Sequence, residues 1–144
     1  MARIKITIPG NTIASVVIPV RITDINYGNH LGNDALVSII HEARVQWLTI
    51  NNYTELNVDG VGLIMSDLAI EYINESFYGD DLLISIAAGE ISRVSFELYY
   101  MVQVKRNEKI ILIARAKTGL VCYDYTGKKV AAVPGKFKGL LLSA

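Results

Sequence analysis

Hydrophobic and polar residues change their spacing twice along this chain. Over residues 13–25, Val16, Ile18, Val20 and Ile22 alternate with Val17, Pro19, Arg21 and Thr23. Alternation at a period of two predicts a strand. Pro19 has no N–H to give to a ladder, so that strand belongs at a sheet edge or carries a bulge there. The turn-like stretch Asn26-Tyr27-Gly28-Asn29-His30-Leu31-Gly32 follows. The apolar spacing then lengthens. Leu36, Ile39, Ile40, Ala43, Trp47 and Ile50 fall on one broad face of a helix predicted over Asn33–Ile50. Gly32 or Asn33 caps it, Asp34 suits its positive end, and Asn51-Asn52 supplies a stop. At 1.5 Å per residue the helix would be roughly 27 Å long, enough to cross a small sheet.

From Gly62 onward the period of two returns. Leu68, Ile70 and Tyr72 face one way and Asp67, Ala69 and Glu71 the other. Further strands are predicted over residues 82–88, 94–104 and 110–123. In the middle one Val94, Phe96, Leu98, Tyr100, Val102 and Val104 alternate with Ser95, Glu97, Tyr99, Met101 and Gln103. Tyr78-Gly79-Asp80-Asp81, residues 89–93, Arg106-Asn107-Glu108 and Tyr125-Thr126-Gly127 mark the turns. Links this short make neighbouring strands antiparallel. The tail beyond Pro134 ends in Leu140-Leu141-Leu142 and reads as a cap or a short helix. One helix against one sheet is an α+β, two-layer arrangement, filled best if the sheet curls around the helix. No linker, repeat or low-complexity tract divides the chain, so residues 1–144 form a single domain.

Composition narrows the class. With 51% hydrophobic and 19% charged residues the chain is not disordered. A small monomer has difficulty hiding that much apolar surface, so an oligomer is expected. The 14 basic and 14 acidic residues balance and form no basic stripe, which argues against a nucleic-acid binder. Cys122 is the only cysteine, and His30 and His41 are the only histidines. An intrachain disulfide and a cysteine metal cluster are thereby excluded, and a zinc site is disfavoured. No metal or cofactor is expected. The N-terminal residues lack the apolar core of a signal peptide, and no uncharged apolar run reaches the roughly 20 residues of a membrane span. The chain reads as soluble and cytoplasmic, where the sequons at Asn52 and Asn74 carry no meaning.

The stretch from Arg21 through Asp24, Asn26, Gly28, Asn29, His30, Leu31, Gly32 and Asn33 resembles the hallmark of the 4-hydroxybenzoyl-CoA thioesterase-like family. That hallmark reads roughly Arg-x-x-Asp-x-Asp-x-x-Gly-His-Val-Asn-Asn. In the family a helix carrying Glu-Ala-Arg and an aromatic follows, here Glu42-Ala43-Arg44 and Trp47. The run from Leu68 to Tyr72, then Phe77 and Gly79-Asp80, is similar to a second family block, and Pro134 to a proline near the end. The resemblance implies a hotdog fold, a long central helix wrapped by a curved antiparallel sheet of five or six strands. It also implies metal-free hydrolysis of acyl-CoA or acyl-carrier thioesters by a homodimer or dimer of dimers, with sites at the subunit interface. One position departs from the pattern. The family's usual catalytic carboxylate, the second acid of the hallmark, is Asn26 here, and an amide cannot take a proton from water near neutral pH.

Thioester hydrolysis needs a base, donors for the oxyanion and a groove for the acyl chain and pantetheine arm. Backbone amides from Gly28 to Gly32, at the helix N-terminus, suit the second need. Asp24, His30 and Glu42 are the candidates for the base, and Asn26 is a candidate for orienting water or the carbonyl. Tyr27, Gly28, Asn29, Leu31, Gly32 and Asn33 are candidate substrate contacts. Each candidate also has a structural reading: Asp24 as a loop tie, His30 as a packed ring, Glu42 as an ion-pair partner of Arg44 or Arg21. His41 reads as helix surface or interface, and Cys122 as a small core residue. A non-catalytic hotdog module that holds an acyl thioester is the competing function, and the amide at position 26 is what favours it.

Overall fold

The computed structural model describes residues 2–143. Strand β1 (Thr12–Pro19) turns Val16 and Ile18 into the core and leaves Val17 outside. It stops at Pro19, short of the predicted end at residue 25. The reason is local: the Arg21 amide donates to Asp24 Oδ2 at 2.8 Å, closing a 3₁₀ turn over Ile22–Asp24 that leaves Ile22 exposed. An acidic side chain accepting a backbone N–H in this way competes with the ladder.

Helix α1 (Asn33–Ile50) has the predicted bounds. Its buried residues are Leu36, Ile39, Ile40, Ala43, Arg44, Trp47 and Leu48. Ile50, expected on that face, is 71% exposed; Trp47 and Leu48 fill the last buried turn instead. Strands β2 (Gly62–Tyr72), β3 (Asp81–Ile91), β4 (Ser95–Arg106) and β5 (Lys109–Asp124) follow, then the two-residue β6 (Lys129–Val130) and helix α2 (Gly135–Leu142). The strands form one antiparallel sheet in the order β1-β3-β4-β5-β2, with β6 beside the end of β5. β1 is an edge strand, so Pro19 costs the sheet no hydrogen bond.

The alternation in β4 is regular. Phe96, Leu98, Tyr100, Val102 and Val104 are all buried and their neighbours are not. These side chains form one core with the inner faces of β1 and β3 and with α1. Each large apolar side chain buried there contributes about 1.5–3 kcal/mol. Helix α2 closes one end: Phe137 lies 5.3–5.7 Å, centroid to centroid, from Phe96, Tyr53 and Trp47. α1 leans on β1 and β3. On the other side the inner residues Met65 and Tyr72 of β2 stay 44% and 43% exposed, leaving an open seam between α1 and β2. No helix among the described residues is long and apolar enough to cross a membrane.

Candidate active site

The loop between the 3₁₀ turn and α1 is held by its own polar groups. Asn26 Oδ1 accepts the amides of Gly28 (2.9 Å) and His30 (3.2 Å), and the Asn26 carbonyl accepts that of Asn29 (3.1 Å). Asn29 takes the left-handed backbone at φ 65°, a conformation asparagine tolerates better than most residues. Leu31 donates to the Ser76 carbonyl (2.8 Å) and Gly32 to that of Asp24 (2.9 Å). The five amides from Gly28 to Gly32, expected as oxyanion donors, include four that are thus engaged by way of Gly28, Asn29, Leu31 and Gly32, and the fifth, His30, is engaged too. In the first turn of α1 the amides of Asn33 and Ala35 have no acceptor among the described residues, and in the loop neither has that of Tyr27. Those of Asn33 and Ala35 lie at the positive end of the helix dipole. Glycine at position 28 lets the loop close tightly, since a Cβ there would sit 3.3 Å from Asn26 Oδ1 and 3.4 Å from His30 Nδ1.

In front of that turn lies an open cleft of about 1170 Å³ between the loop, the start of α1, and Tyr72 to Ser76 at the end of β2. All the candidate site residues line it except Gly28, Asn29 and Glu42. Asp24 is 6% exposed, and its carboxylate serves Arg21, accepting the Arg21 amide and facing its guanidinium at 3.4 Å. These bonds are the ones the loop-tie reading requires, and the residue also lines the cleft. Tyr27 is fully exposed. Tyr72 reaches across the seam, its hydroxyl donating to the Asn33 carbonyl at 2.8 Å.

The structure adds a residue that the sequence did not suggest. Glu75, in the link after β2, lies at the cleft, and its Oε2 is 3.1 Å from His30 Nε2. The His30 ring also packs at 5.6 Å on Phe77, over which the Arg106 guanidinium sits at 4.9 Å. Arg106 in turn pairs with Asp80, which also accepts from the Ser76 hydroxyl and the Phe77 amide. Burial works against ionisation of Asp80, but the bonds from Arg106, Phe77 and Ser76 hold its carboxyl below the ordinary value. This fixed link gives His30 a rigid backing.

Glu42 stands apart. It is exposed, bonds Gln46 at 2.7 Å, and lies about 14 Å along α1 from the helix start. Its expected partners Arg44 and Arg21 are occupied elsewhere. Arg44 is buried: its Nε donates to Glu55 Oε2 (2.9 Å) and its Nη1 to Tyr100 Oη (3.2 Å), which meets Thr118 Oγ1 at 2.8 Å. His41 Nε2 is 2.6 Å from the other Glu55 oxygen. Burial acts against the Glu55 charge, yet the bonds from His41 and Arg44 keep its carboxyl below the usual value. Cys122 is fully buried, which pushes its thiol up to about 11, the setting of a core residue rather than a nucleophile. No group of three or more potential metal ligands gathers among the described residues.

Residues 20–141 match the family model described as the thioesterase-like superfamily. Solved structures share the fold. A 1,4-dihydroxy-2-naphthoyl-CoA thioesterase from Synechocystis superposes with a TM-score of 0.76 at 22% identity, covering 88% of this chain and 93% of that one. A thioesterase superfamily protein from Jannaschia gives 0.81 at 15% identity, covering 94% and 89%. An Asp-to-Asn mutant of 4-hydroxybenzoyl CoA thioesterase, complexed with 4-hydroxybenzoyl CoA, gives 0.76 at 16% identity, covering 89% and 97%. No curated protein matches the chain in sequence.

Proposed function

Because the chain belongs to the thioesterase-like superfamily and has its hotdog fold, we propose that it hydrolyses acyl-CoA or acyl-carrier thioesters in the cleft before α1. The observation that carries this reading is the His30–Glu75 pair beside the two free amides of the first helical turn. A base, a partner to orient it and oxyanion donors are then close together despite the amide at position 26.

In the tautomer that donates its Nε2 proton to Glu75, His30 keeps a lone pair on Nδ1. That nitrogen takes a proton from water as the water oxygen attacks the thioester carbonyl. The carbonyl oxygen becomes an oxyanion facing the Asn33 and Ala35 amides. Collapse breaks the C–S bond, and the imidazolium returns its proton to the thiolate, releasing thiol and acid. Asn26 holds the loop; its Nδ2 is free to orient the water or the carbonyl.

The assembly we propose is a homodimer or a dimer of dimers. Among the described residues no strand pairs with the outer edge of β2, which a second copy would extend. Glu42, outward on α1, contributes to catalysis only at the loop of a second copy. The competing reading, a module that binds thioesters without cleaving them, is favoured by the commitment of Asn26 Oδ1 to backbone amides. A panel of acyl-CoAs assayed for free thiol separates the two. Turnover is expected; no release from any ester, with thermal stabilisation by the same esters, would favour the module.

A further inference from the structure

A second cavity, of about 320 Å³, lies in the seam between α1 and β2. It continues the cleft along both elements. On α1 the cleft is lined up to Leu36 and the cavity from Val37; on β2 the cleft is lined by Tyr72 and the cavity by Leu68, Met65 and Leu63. From Asn33 the axial rise is about 6 Å to Val37 and about 16 Å to Arg44. A chain esterified at the first turn of α1 and laid along the seam therefore ends among these residues.

The walls of the cavity differ from one another. Val37, Ile40, Leu63, Met65 and Leu68 are apolar, whereas Ser38, His41, the buried Arg44 and Thr118 and the half-buried Glu55 are polar, with Glu55 held by both His41 and Arg44. The guanidinium carries five N–H donors. Nε and Nη1 are bonded, but Nη2 has no acceptor among the described residues. An alkyl terminus placed there would desolvate these groups and return nothing. A carboxylate would meet the Glu55 charge, and Glu55 already neutralises Arg44. A hydroxyl both accepts and donates, so it satisfies Arg44 without opposing Glu55.

We infer that this cavity reads the far end of the acyl group and favours a medium-length chain ending in a hydroxyl over a plain alkyl chain of the same length. The inference rests on the thioesterase reading for its assay and for placing the ester carbonyl at the first turn of α1. The full chain in its own assembly is assayed with octanoyl-CoA, ω-hydroxyoctanoyl-CoA and acetyl-CoA. The hydroxylated ester is expected to have the higher kcat/KM, by about tenfold, the scale of one hydrogen bond to a charged group. Arg44→Lys, which keeps a positive charge beside Glu55 but has no Nη2 donor, is expected to bring that ratio close to one. Met65→Phe, at the half-exposed rim, is expected to lower the octanoyl-to-acetyl ratio by about tenfold by filling the cavity. A wild-type ratio of one or less overturns the inference. So does a ratio that survives Arg44→Lys together with a chain-length preference that Met65→Phe does not move. If no ester is cleaved, the thioesterase reading fails by itself. Calorimetric affinities of the two intact octanoyl esters then decide the inference: the same preference supports it, and equal affinities overturn it.

Discussion

His30 Nε2 stands 3.1 Å from Glu75 Oε2, so a ring in the loop before α1 is aimed by a carboxylate from the link after β2. Removing the ring should remove the base. His30→Ala is expected to lower kcat by about 10²–10⁴. Glu75→Gln leaves an oxygen to accept the Nε2 proton but no charge, and should lower kcat by about tenfold with KM little changed. Both side chains are accessible, so the melting temperature should hardly move. Steady-state kinetics check this, and full kcat in His30→Ala would assign the base elsewhere.

Asn26 separates loop architecture from chemistry. In Asn26→Ala the amides of Gly28 and His30 lose their acceptor, at an expected cost of about 1 kcal/mol and with reduced turnover. Asn26→Asp offers the same amides an oxygen and should retain the wild-type melting temperature. Paired melting curves and rates test it; equal destabilisation by both substitutions would contradict the hydrogen-bond account.

Glu42 tests the composite site. Glu42→Gln and His30→Ala chains, each impaired alone, are mixed after reversible dissociation. In a two-fold dimer each hybrid has one doubly altered site and one intact site. Random mixing should restore about a quarter of wild-type activity. No recovery would confine the site to one chain, and full rate in Glu42→Gln alone would remove that residue from catalysis.

Acid should loosen the fold at two carboxylates. Glu55 and Asp80 ionise below their ordinary values in the folded chain, despite burial, because of bonds from His41 and Arg44 and from Arg106, Phe77 and Ser76. Depressed folded-state values add stability that is fully present above the unfolded pKa of about 4 and is lost as pH falls through the folded values. The melting temperature should be level near neutrality and decline below about pH 4.5. Asp80→Asn should lower the neutral melting temperature and flatten the decline; an unchanged acid limb would refute the assignment.

The helix was legible in residue detail because its apolar spacing, the glycine before it and the asparagines after it agree. The strands were legible because Phe96 to Val104 alternate without interruption. The end of β1 was not: Val20 and Ile22 continue the alternation, while the Arg21–Asp24 bond that breaks it leaves no trace in hydrophobicity. Ile50 continued the helical face on paper, but Trp47 and Leu48 already fill the last buried turn. The hallmark loop was recognisable, yet its amides could not be known to be occupied until their acceptors Asn26, Ser76 and Asp24 were placed. Glu75 gave no signal, because only the antiparallel return of β2 brings it to His30.

The amides from Gly28 to Gly32 are all bonded within the chain, so the shape of the hallmark loop does not depend on the arriving ester. A reactant meets a rigid plinth, and little chain must be ordered when it lands. The seam is different in kind, being built from single side chains on a strand edge and one helix flank. Reactivity and choice of cargo thus rest on separate stretches of polypeptide. Descendants of this sequence could exchange Met65 or Leu68 and acquire new cargo while the reacting end stayed intact.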